Sequence, residues 1–533
     1  MRRFFSYGPV DAEEHFCVPR QELIQQCTQQ LIGHPVKGGH YFTIWAPRQT
    51  GKTWLIRQVV KEIQANYHDQ FMVGNLSVQG VVMNDTEPDT GFLNQIPLLL
   101  NEGFQIKQLA APQDWQQFKT LFEKDREPPL FDRPLILFID EFDSLPKHVI
   151  DRLVTMFRDI YLKRDHYLLH GLALIGVRSV LGIESQRGSP FNIQRSLHVP
   201  NLSQTEVQSL YQQYQDESGQ AVAPEVVEAV YAATNGQPGL VGWFGELLTE
   251  QYNPGRPHQI DLETWKMVWH KARFKEPNNT VLNLIAKARM PEYQGFLLEL
   301  FAHADMPFLF HEPLHNYLYL HGILGTETIR QETGELTEIC RFASPFVQHC
   351  LYDALGRELV GDQTPILALD PLDTLADVFA GESLNLPALL QRYKAYLARL
   401  KAKGINPWKE QPRRVTDFHF TEAVGHFHLY AWLQTAIGRR CVISPEFPTG
   451  NGKVDLHLKC GAQRGIIEVK SFVNAYSLAA DKVQAARYAK QLGFAAVILA
   501  TFIPVEDETV LAKLSGEQML EGVCVSVVAI GWG

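Results

Sequence analysis

The stretch YFTIWAPRQTGKTWLIRQVVKEIQA, residues 41–65, decides how this chain is read. Tyr41–Trp45 is an apolar run of strand length, Ala46–Thr53 (APRQTGKT) is a loop, and from Thr53 to Ala65 apolar residues recur at helical spacing. Strand, loop and helix in that order aim backbone N–H groups and a helix N-terminus at phosphate oxygens. Lys52 is expected to reach the β- and γ-phosphates of a nucleoside triphosphate, and Thr53 to ligate Mg²⁺. Gly51 lets the backbone approach the ligand without a Cβ clash. Ala46 stands where the strict pattern has Gly, while Lys52 and Thr53 are intact. The expected nucleotide-binding element is therefore Ala46, Pro47, Arg48, Gln49, Thr50, Gly51, Lys52 and Thr53.

Downstream lies LILFIDEFDSL, residues 135–145. Its continuous apolar run, Leu135–Ile139, predicts a central parallel strand covered on both faces. Asp140 at its end is placed to hold the water shell of Mg²⁺. Glu141 is placed to orient and deprotonate an attacking water, and Asp143 reads as a loop or cap residue. Leu172–Val177 predicts another strand, so the chain to about residue 200 reads as a doubly wound α/β domain. The texture then turns helical. Ser203 and Glu206 fit a capping box, NGQPGL (235–240) ends a helix, and NPGRPHQ (253–259) marks a boundary. The expected organisation is an α/β core over 1–200, a helical lid over 201–255, a helical or winged-helix-like domain over 256–355, linker and short helices over 356–400, and a last α/β domain over 401–533.

The N-terminal motifs resemble the AAA+-like ATPases, specifically the prokaryotic STAND-related branch, over about residues 1–250. FCVPRQELIQQCTQQL (16–31) is similar to that branch's segment beside the adenine, which implies that Val18, Pro19 and Arg20 flank the base. GVRSVLGIESQRGSPFNIQRSLHVPNLSQTE (176–206) looks like the sensor strand and the passage into the lid. It offers Arg178, Arg187 and Arg195 as sensor or arginine-finger residues. NGQPGL resembles the lid turn that faces the nucleotide. The resemblance also implies homo-oligomerisation.

The last domain carries a second constellation: Glu422 in FTEAVGHFHLYAWL, Asp455 in GNGKVDLHL, Glu468 and Lys470 in GIIEVKSF, then Gln484 and Tyr488 in QAARY. Side chains alternate along a strand, so Glu468 and Lys470 share a face. Carboxylates of Asp455 and Glu468 can converge on Mg²⁺, with Glu422 completing the shell. Lys470 can position the water and stabilise the charge of a phosphodiester being cleaved. Over about residues 415–505 the order resembles the PD-(D/E)XK nucleases, a restriction-endonuclease-like fold, with Gln484 and Tyr488 similar to the accessory element of the RecB-like branch. The resemblance implies cleavage of DNA with Mg²⁺ or Mn²⁺. No Pro precedes Asp455, a departure from the pattern. His426 and His428 read as helix-surface residues. RYKAYLARLKAKGINPWKEQPRR (392–414) interleaves basic and aromatic side chains, a pattern that reads either as a solvated helix face or as a grip on a phosphate backbone.

Composition bounds the rest. A hydrophobic fraction of 45% and a charged fraction of 20% describe a globular chain, and a net charge of −10 confines any nucleic-acid site to a local basic surface. No apolar run is long enough to span a membrane, and MRRFFSYGPVDAEEHF has no apolar core of a signal peptide, which predicts a cytoplasmic protein. The seven cysteines are scattered without a CxxC pair, which predicts reduced thiols. The domain pairing predicts an ATP-controlled DNA nuclease acting in antiviral defence, with a protein trigger or partner. An ATP-switched scaffold with a degenerate nuclease fold is the rival. An end-trimming translocase is disfavoured because no helicase motif accompanies the loop and the acidic strand.

Overall fold

The computed structural model describes residues 1–8, 10–34, 37–176, 196–302, 306–331, 334–360, 368–370, 373–381, 383–408, 411, 413, 421–438, 440–445 and 456–532. The chain forms two compact units. One comprises Met1–Thr280, Leu309–Gly325 and Phe342–Val347; the other comprises Val281–Phe308, Thr326–Arg341 and Gln348–Gly533.

The first unit is built on β1 (Tyr41–Trp45), β2 (Met72–Ser77), β3 (Leu135–Asp140), β4 (Leu169–Gly176) and β5 (Ser196–His198), in the order β2-β3-β4-β1-β5. Every pairing is parallel. Strand β3 shows why its sequence is an unbroken apolar run. Ile136 and Phe138 enter one core with the helices Gln21–Ile32 and Lys52–Tyr67, while Leu135, Leu137 and Ile139 enter the other with Ile96–Phe104 and Lys147–Leu162. Both faces are covered, so both parities must be apolar. Because all the strands run the same way, the loop after β1 and the acids after β3 emerge at one edge of the sheet, with β4 between them.

The lid helices Gln204–Ser218, Pro224–Thr234 and Pro238–Glu246 follow. The first has the expected capping box: Ser203 Oγ accepts from Glu206 N, and Glu206 accepts from Ser203 N. Thr234 ends the second, where Asn235 and Gly236 turn left-handed. The middle region holds the helix Pro313–Leu320, the hairpin β6 (Leu324–Arg330) and β7 (Leu336–Phe342), and the helix Pro345–Val360.

The second unit contains β8 (Val442–Ser444), β9 (Leu456–Cys460), β10 (Gln463–Ser471), β11 (Ala496–Ile503), β12 (Gly516–Leu520) and β13 (Val523–Gly531), ordered β12-β13-β11-β10-β9-β8. β8, β9 and β10 form an antiparallel meander, and β10, β11 and β13 run parallel. The helices Glu422–Ile437 and Ala475–Gln491 come before the meander and between β10 and β11. The sequence of this last α/β region reads as helix, strand, strand, helix, strand, and the region has six strands among the described residues.

Three further expectations change. The segment read as linker and short helices up to residue 400 contains a helix of 17 residues, Leu386–Ala402, whose Leu389, Leu390 and Tyr393 are buried in the core of the second sheet. The thiols are not all reduced: Cys441 and Cys460 form a disulfide. The register pairs Val442 with Lys459, which puts these two cysteines opposite each other one step further along. A search for close CxxC spacing misses a pair that antiparallel register creates. Finally, His426 and His428 are buried, not on the surface.

Candidate functional site

Lys52 opens the helix Lys52–Tyr67 and is only 8% exposed. Its Nζ donates to the carbonyls of Ala46 (2.8 Å) and Pro47 (2.7 Å), so the ammonium lies in the curl of its own loop. Burial pulls its pKa down to about 8 against the opposing pull of Glu141, Asp143 and Asp140. The loop needs two left-handed residues, Gln49 (φ 58°) and Gly51 (φ 92°). A side chain at 51 would meet nothing within 4 Å, so the conformation, not space, calls for glycine there.

Across the sheet edge, Thr53 Oγ1 donates to Asp140 Oδ2 at 3.3 Å, and Asp140 Oδ1 accepts from Glu141 N at 3.0 Å. Asp140 is 6% exposed. Burial raises its carboxyl above the ordinary range against those hydrogen bonds and the nearby lysine. Glu141 is held left-handed (φ 57°) at the end of β3. Its carboxyl is also raised, first by burial and then by Asp140 and Asp143. A hydroxyl and a carboxylate in contact beside a buried cation are hard oxygen donors suited to Mg²⁺, and the two adjacent acids have distinct environments.

The lid turn expected to face the nucleotide grips the loop directly. Gln237 Nε2 donates to Arg48 O (3.1 Å), and Gly239 N donates to Gln49 O (3.0 Å). A Cβ on Gly239 would lie 2.4 Å from Gln49 Oε1, so this approach requires glycine. Beside Thr50 and Gly51 opens an apolar hollow walled by Phe5, Phe16, Val18, Trp54, Leu202 and Pro238. Of these, the sequence pointed to Val18 and, within the NGQPGL turn, Pro238. Phe5 and Phe16 belong to an N-terminal segment strapped to the lid through Arg2–Glu217 (2.7 Å), Ser6–Glu246 (3.2 Å) and the Phe4 ring against Tyr211. Arg20 borders the hollow, but its guanidinium is bound to Glu206, Pro200 O and Asn201 O. Arg178, Arg187 and Arg195 lie outside the described residues.

Residues 5–251 match the family model of the AAA-like domain. The N-terminal part of this chain is an AAA-like P-loop ATPase domain. Among solved structures, the chain is similar to a Walker-type ATPase of Pyrococcus abyssi (14% identity, 65% of this chain and 99% of that one, TM-score 0.45). It is also similar to the Aeropyrum pernix ORC1 protein in complex with DNA (12% identity, 64% and 93%, TM-score 0.32). A third is the Thermotoga maritima RuvB Holliday junction branch migration motor (14% identity, 60% and 92%, TM-score 0.33). No curated protein matches the sequence.

In the second unit, β10 carries Glu468 and Lys470 inward, at 1% and 4% exposure. Glu422 opens the helix Glu422–Ile437. Lys470 Nζ lies 3.2 Å from Glu422 Oε1 and 3.0 Å from Glu468 Oε1. Three of the expected residues therefore converge from two elements, the helix Glu422–Ile437 and β10. Asp455 lies outside the described residues, immediately before β9. Gln484 is exposed and Tyr488 half-buried on the helix Ala475–Gln491, where Tyr488 packs against the cluster holding Ile466 and Ala485. Among the described residues no group of three His, Cys, Asp or Glu could hold a metal ion, and no helix is long and apolar enough to cross a membrane.

The basic stretch loses its resemblance to a nucleic-acid grip. Tyr393, Tyr396 and Trp408 are buried in the core, so no base can stack on them. Arg392 pairs with Asp373 (3.2 Å) and Asp377 (2.8 Å), Lys394 with Glu508 (3.5 Å), and Lys401 with Glu506.

Proposed function

We propose that ATP binding and hydrolysis with Mg²⁺ at the AAA-like domain control a Mg²⁺-dependent DNA nuclease in the second unit. For the ATPase, the contact between Thr53 and Asp140 carries the reading. It brings together the residue types that hold a metal-bound triphosphate, beside a lysine whose ammonium donates to loop carbonyls. An anionic ligand gives that buried ammonium a better partner than neutral carbonyls do. Glu141, with its carboxyl raised, is suited to accept a proton from water. The metal, when bound, screens the phosphate charge. Val18 and the N-terminal aromatics would hold the base.

The nuclease reading is supported by the convergence of Glu422, Glu468 and Lys470, and by the order helix, three-strand meander, helix, parallel strand around them. Glu422 and Glu468 offer hard oxygen donors suited to Mg²⁺ or Mn²⁺, with Asp455 as the third acid and Gln484 and Tyr488 as accessory residues. One observation favours the rival, a scaffold that does not cleave: Lys470 is already engaged by both acids. The test is to incubate plasmid, linear and single-stranded DNA with the full chain, with and without ATP, in Mg²⁺ or Mn²⁺, beside Asp455→Ala and Lys470→Ala. Cleavage by wild type alone, altered by ATP, is expected. Equal survival of all substrates in every arm overturns the nuclease. Homo-oligomers, a protein trigger, a role in antiviral defence and a cytoplasmic location belong to the same proposal.

A further inference from the structure

Arg20 is in an unusual position for a residue expected to touch a base. It caps the helix Gln21–Ile32 in a left-handed conformation (φ 43°, ψ 43°) and makes no side-chain bond to that helix. A non-glycine residue keeps such a backbone only where its surroundings fix it. Here the guanidinium fixes it. Nε donates to Glu206 Oε1 (3.0 Å), Nη2 to Glu206 Oε2 (3.3 Å), Nη1 to Pro200 O (2.9 Å) and Nη2 to Asn201 O (2.7 Å). The Arg20 side chain is 8% exposed. This fork-on-carboxylate geometry is the strong form of an ion pair.

Its partners define what the fork joins. Pro200 and Asn201 lie in the short passage between β5 and the first lid helix. Glu206 is the third residue of that helix and closes its capping box with Ser203. Burial pushes the Glu206 carboxyl up, but hydrogen bonds from Arg20 and Ser203 outweigh it and hold it below the ordinary range. One side chain of the core thus clasps both the hinge and the head of the lid, at the rim of the hollow that Arg20 shares with Gly51 and Pro238.

We propose that Arg20 is a lid latch: a positioning residue that holds the lid helix closed through Glu206 and the hinge carbonyls, and so sets the rate of nucleotide exchange. This rests on the ATP-binding reading, and two readouts keep the two separable. The first is release of a fluorescently labelled adenosine nucleotide from the full chain. The second is amide hydrogen exchange over 199–210 without nucleotide. Glu206→Gln retains the capping hydrogen bond, because Gln serves that role as well as Glu does, but loses the charged partner. It should release nucleotide about tenfold faster, from the loss of a charge-assisted pair, and raise exchange over 199–210. Arg20→Gln should exceed it, and the double variant should be no worse than Arg20→Gln alone. Ser203→Ala removes the cap and keeps the latch, so it should lower the melting temperature yet leave release near wild type. Wild-type release and wild-type exchange in Glu206→Gln would overturn the latch. If wild type fails to bind the labelled nucleotide, the ATP reading falls, and exchange still decides the latch.

Discussion

Each unit of this chain buries a lysine beside two carboxylates, and the two lysines are held in opposite ways. Lys52 is bound by carbonyls of its own loop, with Asp140 and Glu141 kept beyond hydrogen-bond reach. Its charge is unspent, which is why burial lowers its pKa to about 8. Lys470 is spent on Glu422 and Glu468. The first arrangement is built to receive an anion from outside. The second pairs its cation internally, and to work on a phosphodiester it must exchange those pairs for a metal and a substrate.

The largest expected effect of breaking this contrast is on turnover. Glu141→Gln should keep nucleotide binding but cut phosphate release by about 100-fold or more, measured by steady-state release, because it removes the base alone. Next comes stability. Lys470→Met strands the buried Glu468 beside the half-buried Glu422 and should cost about 3–5 kcal/mol, read as lost hydrogen-exchange protection along Gln463–Ser471. Lys52→Met removes a cation bound only by carbonyls and should cost about 1 kcal/mol. Equal losses would erase the distinction. A smaller effect lies in pH. Buried His428, which shares a hydrogen bond with Tyr393 Oη at 2.6 Å, is lowered from 6.5 to about 4. The unfolded chain takes up this proton below pH 6.5 and the native one resists until about 4. Stability from this group is therefore full above 6.5 and falls toward pH 4 by about 1.4 kcal/mol per unit. Urea unfolding of the second unit against pH should show that slope, and His428→Gln should flatten it. Smallest is Lys401→Ala at the exposed Glu506 pair, worth less than about 1 kcal/mol.

Local features were legible in the sequence. Tyr41–Trp45, the helix after Gly51 and the run ending at Asp140 are each fixed by neighbours a few residues away, and so is the Ser203–Glu206 box. The alternation on β10 placed Glu468 and Lys470 on one face. Features that depend on distant register were not legible. Arg20 reads as a base contact until Glu206 is folded against it. Phe5 and Phe16 have no periodicity to announce a wall. The Cys441–Cys460 bond follows from the pairing of β8 with β9. The aromatics of 392–414 looked like a stacking platform because sequence spacing does not distinguish a ring facing solvent from one facing the core.

The most direct test of the central claim is phosphate release from ATP by the full chain with Mg²⁺, compared with Lys52→Ala. Turnover by wild type is expected, lost by about 100-fold or more in Lys52→Ala, which removes the lysine proposed to meet the γ-phosphate. Undiminished release by Lys52→Ala would contradict it.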